Sequence, residues 1–532
     1  MTIADNLALL HSTKTAIKAA IEDKGVIVGA APFADYPAKI AEISGGGGGG
    51  GSTPLEWSRP EWRTLPSMTD TDQKFIGLHA VYPEDGNFCA LTAAGAYTVD
   101  WGDGTTTNHA TGTQANKLFD YNSAALAGTD APVTFTASTS TVNRTAHGFT
   151  NGKTVTFWNI AGTTGVVDGQ VYFVINATAD TFQVSATAGG SALTLTNDGT
   201  ASLARYKQAV VVVTPQAGQS LTALSLNVKH SQAGTQLYSA GWLDILVGSP
   251  NFSTTGFDIG MASTNETVRK NSIERVRVLN LGATNTLESR FRNLRELAVV
   301  ELPSTAAVTN MSYMFQNCSS LQTVPLFNTQ AVTNMSYMFQ NCTSLQTVPL
   351  FNTQAVTNMS SMFISCYSLQ TVPLFNTQAV TDMNTMFGYC YSLQTVPLFN
   401  TQAVTSMSGM FYNCYSLQTV LLFNTQAVTS MSTMFYNCYS LQTVLALNTT
   451  AVTSSDNFIN MFANCNSLSR IQAKNFRFTF SVANCKLSAA ALNEIYTNLP
   501  TVTGQTITVT GNYGTAADYP YIAVAKGWTV TG

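Results

Sequence analysis

Residues 332–355 read VTNMSYMFQNCTSLQTVPLFNTQA, and residues 356–379 read VTNMSSMFISCYSLQTVPLFNTQA. The same 24-residue word recurs from Thr309 to Leu447. It sets up three unbroken columns. One is Phe315, Phe339, Phe363, Phe387, Phe411 and Phe435; the second is Cys318, Cys342, Cys366, Cys390, Cys414 and Cys438. The third is Leu321, Leu345, Leu369, Leu393, Leu417 and Leu441. A fixed period of this length marks a solenoid, whose units bury their apolar faces only by stacking on one another.

Within one rung, Met335, Met338, Phe339 and Cys342 fall at i, i+3, i+4 and i+7. That spacing predicts a short helix with these four on one face, capped by a side-chain oxygen of Thr333 or Asn334. Leu345, Val348 and Leu350 follow with the L-x-x-L-x-L spacing of a leucine-rich-repeat strand. Pro349 stands inside that strand and cannot donate to a ladder, so weak or irregular pairing is expected there. The column Phe327, Phe351, Phe375, Phe399 and Phe423 is assigned to the core. The copies differ most at Tyr337, Ser361, Thr385, Gly409 and Thr433, and at Gln340, Ile364, Gly388, Tyr412 and Tyr436. Those positions are expected to face solvent.

The repeated VTNMSYMFQNCTSLQTVPLFNT resembles the BspA-type leucine-rich repeat, also called the Mycoplasma-lipoprotein repeat, over roughly Ser304 to Gly532. The resemblance implies a binding scaffold, of a kind found in bacterial surface proteins and in phage virion proteins, rather than a catalyst.

Composition narrows the function. The chain has 532 residues, enough for several domains. Charged residues make up only 10%, and a formal net charge of −4 gives no basic surface to recruit nucleic acid. Between Ser304 and Ala451 the sole formal charge is Asp382. Catalysis needs groups of perturbed pKa held close together. No Ser/His/Asp set, paired carboxylates or metal-ligand cluster emerges, so no catalytic residue, cofactor or metal site is predicted. Nine cysteines, six in one ladder, predict free buried thiols rather than disulfides. Their spacing lacks the clustering that zinc requires. No apolar run reaches the roughly 18 residues of a membrane helix. The opening MTIADNLALLHSTKTAIK lacks the pattern of a secretory signal, which points to assembly in a cytoplasm.

Taken in order, residues 1–44 are expected to form a small helical unit, with Ile17 and Ile21 on one stripe and Phe33, Tyr36 and Ile40 on a second. It has too little core to stand alone. Its segment AIKAAIEDKGVIVGAAPFADYPAKIAEI resembles the start of many tailed-phage structural proteins, which implies an anchor to other virion proteins. Residues 45–52 hold seven glycines and a serine, a flexible tether. A phosphate-binding loop would need the Lys-Ser/Thr that is missing here. Residues 53–77, with Trp57 and Trp62, read as an extended docking segment.

Residues 78–131 and 206–247 read as one β-sandwich split in two. Tyr97, Val99 and Trp101 alternate before an Asp-Gly turn, a hairpin signal. The run WGDGT at Trp101–Thr105 resembles the hallmark of the PKD-like immunoglobulin fold. Asp100 and Asp103 are assigned to turn formation ahead of calcium binding. Residues 132–205 form an inserted small β-module of Thr/Val-rich strands, which resembles a module recurrent in phage tail proteins. His147 within it is assigned to a turn.

Residues 248–532 complete the solenoid with its caps. Stepping back by the period places Phe291, Val300, Val276 and Val278 in the apolar columns. Arg275, Arg277, Arg290, Arg292 and Arg295 on these early rungs predict a solvated cap rather than an anion site. At the far end Cys438 to Cys465 spans 27 residues, so three are inserted near Ser454–Ile459. Leu487–Leu499 reads as a helix capped by Ser488, and Trp528 as a plug for the last rung.

The fold class is therefore multidomain: an N-terminal helical anchor, a β-sandwich with an inserted β-module, and a C-terminal leucine-rich-repeat (α/β) solenoid. Stacked at the rung spacing, Tyr367, Tyr391, Tyr415 and Tyr439 are expected to form an aromatic strip, with Tyr412 and Tyr436 beside it. Tyrosine is a favoured contact residue at recognition surfaces. The expected function is that of a virion fibre whose solenoid binds a host-surface glycan or protein, without nucleic acid or membrane insertion. Assembly as a homo-oligomer is compatible with it. The alternatives are a virion decoration protein with no receptor and an exported bacterial adhesin.

Overall fold

The structure, a computed structural model, describes residue 59 and residues 62–532 except 83–86, 124, 127–131, 146, 148, 153, 169, 188–189, 204–205, 231–238, 240, 261–271 and 421–422. The expected helical anchor, with Ile17, Ile21, Phe33, Tyr36 and Ile40, and the glycine tether lie outside the described residues.

Two sheets share one core. The larger has seven strands in the order Val299–Glu301, Arg275–Asn280, Trp242–Gly248, Lys74–Val81, Lys207–Pro215, Tyr97–Asp100 and Thr106–His109. The smaller orders Phe257–Asp258, Ala223–Ser225, Phe88–Ala94 and Gln114–Leu118. Phe75, Leu91, Tyr97, Trp101, Val211 and Trp242 are buried in that core. The central strand begins at Lys74, inside the segment expected to be extended. Ahead of it, Trp62 and Leu65 pack on Ile76, Leu78, Leu243 and Leu246, and Trp62 Nε1 donates to the Tyr206 hydroxyl at 2.7 Å.

The Asp-Gly hairpin uses both of its acids. Asp100 accepts from the Gly102 N–H at 2.9 Å, while Asp103 accepts from the Thr105 N–H at 3.1 Å and pairs with Lys117. Gly102 sits at φ +71°, and a Cβ there would lie 2.4 Å from the Val210 carbonyl oxygen. Only glycine fits this close approach.

Strands between Pro132 and Ser202 form a separate seven-stranded sheet with its own core, which includes Phe135, Phe157, Tyr172 and Phe182. His147 is buried in this module. Its Nδ1 accepts from the Phe149 N–H at 2.9 Å, and its Nε2 lies 3.2 Å from the Thr181 carbonyl oxygen.

The solenoid grows directly out of the larger sheet. Trp242–Gly248 pairs in parallel with Arg275–Asn280, which pairs in parallel with Val299–Glu301. The first rungs are therefore covered by protein. The expected water-facing cap is corrected accordingly: Arg275 and Arg277 both pair with Asp244, which is buried.

The expected helix in each rung is absent. Met335, Met338, Phe339 and Cys342 are fully buried as their spacing requires, but the backbone carrying them is a run of turns. Alternate N–H groups point in different directions. Those of Met335, Tyr337, Phe339 and Asn341 donate to Asn358, Ser360, Met362 and Ile364 of the next rung at 2.9–3.0 Å. Those of Met338, Gln340 and Cys342 close tight turns three residues back within the rung. Tyr337 and Asn341 adopt left-handed φ of +57° and +59°, and both conformations recur in most rungs. A helix would satisfy its N–H groups internally; this strip sends half of them across the stack. Asn334 Oδ1 does accept a backbone N–H, that of Ser336 at 3.0 Å, but it closes an Asx turn rather than a helix cap.

The proline column behaves as expected. At that position Pro325, Pro349, Pro373 and Pro397 lie in rungs without a named strand. Where the column holds Arg277, Glu301 or Leu445, strands Arg275–Asn280, Val299–Glu301 and Thr443–Asn448 form. The third leucine of the expected strand points outward. Leu345 and Val348 are buried, but Leu350 is 54% exposed, and Phe351 takes the inward place. Leu326, Leu374 and Leu398 repeat that exposure.

Each cysteine of the ladder from Cys318 to Cys465 finds a defined partner. Cys342 Sγ donates to the Phe315 carbonyl oxygen at 3.1 Å, and the same bond recurs from Cys318 to Cys465. The phenylalanines stack beside them, with Phe339 and Phe363 centroids 5.6 Å apart. At the far end the three-residue insertion forms a single turn at Ser455–Phe458. The helix Ala489–Asn498 starts at Ser488, whose hydroxyl accepts from the Ala491 N–H, and buried Trp528 donates to the Pro500 carbonyl oxygen at 2.9 Å.

Candidate recognition surface

The period that aligns the core also aligns what it leaves outside. Residue 367 follows a fixed cysteine, so its side chain emerges at the same corner of every rung. The structure brings the predicted tyrosines of this column together. Tyr367–Tyr391, Tyr391–Tyr415 and Tyr415–Tyr439 have ring centroids 4.7, 4.6 and 5.1 Å apart. The end rings Tyr367 and Tyr439 are exposed at 40% and 39%, while the two between them are half-buried by their neighbours.

Tyr412 and Tyr436 form a second stack at 4.9 Å. Tyr389 joins the two, lying 5.2 Å from Tyr412 and edge-on to Tyr391 at 6.3 Å. Tyr389, like Tyr412 and Tyr436, is expected near this column from its place in the repeat; its left-handed φ of +62°, shared by the residue before the cysteine in the other rungs, was not legible from spacing. Tyr313 and Tyr337 make a further stacked pair at 4.6 Å. The expectation that variable positions face solvent fails at Gly388, Gly409 and Ser361, all buried; Ser361 shares a hydrogen bond with Thr385 at 2.6 Å. Its place in the inter-rung strip turns it inward.

The stacking decides what the strip can offer. The ring faces of Tyr391 and Tyr415 are occupied by one another, so a ligand meets ring edges and hydroxyls. Only the end rings keep a face free. Burial, followed by the neighbouring Tyr415 and Tyr367, pushes the Tyr391 phenol up; burial and Tyr389 do the same for Tyr412. Both therefore stay protonated at neutral pH and present hydrogen-bond donors. Burial likewise raises the thiols of the cysteine ladder, which keeps them un-ionised. Among the described residues, no three His, Cys, Asp or Glu side chains converge to hold a metal ion, and no helix is long and apolar enough to cross a membrane.

Residues 285–397 and 391–494 match the family model described as "Mycoplasma protein of unknown function, DUF285". The match lies within the solenoid and does not reach the sandwich. No curated protein matches the chain by sequence. Among solved structures, the chain is similar to a leucine-rich repeat protein from Bacteroides ovatus ATCC 8483, at 13% identity and a TM-score of 0.21, over 56% of this chain and 91% of that one. It is also similar to a leucine-rich repeat protein from Eubacterium ventriosum ATCC 27560, at 13% identity and a TM-score of 0.22, over 55% of this chain and 89% of that one. Likenesses this weak carry no weight for arrangement or function.

Proposed function

We propose that this chain is a non-enzymatic recognition protein that uses the tyrosine face of its solenoid to bind a cell-surface glycan or protein. The observation that carries this reading is the continuous stack from Tyr367 to Tyr439, on a stretch whose sole formal charge is Asp382. A row of phenols held by mutual stacking loses little entropy on contact and suits neutral, hydrogen-bonding partners.

The finer reading is a fibre-type virion protein. Residues 1–44 would contact other virion proteins, the sandwich and its insert would act as spacers, and the solenoid would meet the host. Its support is the resemblance of residues 16–43 and of the inserted module to segments of tailed-phage proteins. A bacterial surface adhesin is the second reading, motivated by the resemblance of the repeated VTNMSYMFQNCTSLQTVPLFNT to the BspA-type repeats of bacterial surface proteins. Deleting residues 1–44 separates them. Loss of the protein from purified particles supports the virion role, whereas unchanged display on bacterial cells supports the adhesin. Particles that adsorb normally without residues 250–532 would exclude a receptor role.

A further inference from the structure

The solenoid leaves one apolar column outside its core. Residues 321–328, 345–352, 369–376 and 393–400 each read LQTVPLFN. In all four rungs the first leucine, the valine and the phenylalanine are buried, while the second leucine turns out to solvent. Leu326, Leu350, Leu374 and Leu398 are exposed at 63, 54, 59 and 50%. Four outward leucines on stacked rungs make a contiguous apolar ridge, with a step close to the roughly 4.8 Å between neighbouring strands. Contiguous exposed apolar patches mark contact surfaces, whereas single exposed leucines do not.

Three features of the ridge decide what can cover it. The four segments carry no charged residue, so two copies of this face approach without like-charge repulsion. The step is uniform, so a copy turned about a twofold axis presents leucines at the same spacing, and each leucine of one ridge enters a gap in the other. The extent is also sufficient. Gln, Thr, Pro, Leu and Asn of each segment lie outside the core, twenty residues in all, at the lower end of the roughly 20–30 a side in a stable interface. An extended peptide laid along the ridge would lose register, because its side chains recur on one face about every 6.8 Å.

We propose that the leucine ridge is the contact between two copies of this chain, packed face to face with their solenoids antiparallel. None of its residues belongs to the tyrosine stacks, so the inference goes beyond the recognition role and holds without it. Leu374 then stabilises the pair rather than the single chain, and its truncation affects unfolding chiefly above the dissociation constant.

Sedimentation equilibrium of the full chain across the micromolar range tests this. The wild type should reach twice the mass of one chain. Leu350→Glu/Leu374→Glu should weaken the dimer by about a hundredfold or more, because like charges then oppose one another across the twofold axis. Leu350→Lys/Leu374→Lys should do the same. These positions are exposed, so the near-ultraviolet circular dichroism of the tyrosines should be unchanged in both variants. Mixing the two variants should restore a dimer, which unfolded chains could not do. The proposal is overturned by a wild type that stays monomeric, which would leave the ridge to another partner. It is equally overturned by a dimer undiminished in the glutamate variant, or by a mixture of the two variants that stays monomeric.

Discussion

Two leucines five residues apart separate the rung described here from the regular leucine-rich-repeat strand. Leu369 is fully buried, whereas Leu374 is 59% exposed. Fully burying a leucine is worth about 1.5–3 kcal/mol, and truncating one to alanine in a packed core costs about 2–5 kcal/mol once the cavity is included. Leu369 is fully buried in the core that also holds the phenylalanine and cysteine columns, so Leu369→Ala should fall in that upper range. Leu374 hides about two-fifths of its surface, so the same scaling gives about 0.6–1.2 kcal/mol for Leu374→Ala. Urea unfolding of the two variants, followed by the near-ultraviolet circular dichroism of the stacked tyrosines, reads the repeats directly. A solenoid's stability is a sum over rungs and their interfaces, so the midpoint should drop sharply for Leu369→Ala and much less for Leu374→Ala. Equal losses would refute the outward placement of the Leu374 column and restore the L-x-x-L-x-L strand.

Three further outcomes are expected. In Pro349→Leu/Pro373→Leu, amide hydrogen exchange at residue 373 should be slow, as in a strand, because the column forms strands where proline is absent; exchange at the rate of an open amide would contradict that. All nine cysteines should resist a thiol reagent in the native state and react on unfolding, since each is free and buried; rapid native labelling of the ladder would contradict the packing. Burial pushes His79 down from 6.5 to about 3, against weaker opposing contacts with the Ala80 and Phe88 backbone. The unfolded chain takes up that proton first, so stability is full above pH 6.5 and is lost progressively toward pH 3, by an amount on the order of 4–5 kcal/mol. His79→Leu should flatten the acid limb of the stability curve, and an unchanged limb would count against the assignment.

The repeat made the solenoid legible, because apolar columns at a constant period leave one way to bury them. It also located the tyrosine stack, since Tyr367, Tyr391, Tyr415 and Tyr439 share one corner. The rung's backbone was not legible. Met335, Met338, Phe339 and Cys342 fit a helical face equally well, and only the left-handed residues Tyr337 and Asn341 distinguish a turn ladder from a helix. Asparagine before four of the six ladder cysteines, at Asn317, Asn341, Asn413 and Asn437, was the available clue, because it tolerates that conformation better than most residues. Continuity between Trp242–Gly248 and Arg275–Asn280 could not be read from spacing at all. It depends on a strand of the sandwich serving as the neighbour of the first rung.

The most direct measurement compares the wild-type protein with Tyr391→Phe/Tyr415→Phe in binding to intact bacterial cells by flow cytometry. Phenylalanine keeps the rings and their 4.6 Å stacking but removes the two central hydroxyls. The chain should stay folded with an unchanged unfolding midpoint, and cell binding should fall at least tenfold. Undiminished binding by the folded variant would show that recognition does not run through the tyrosine edge.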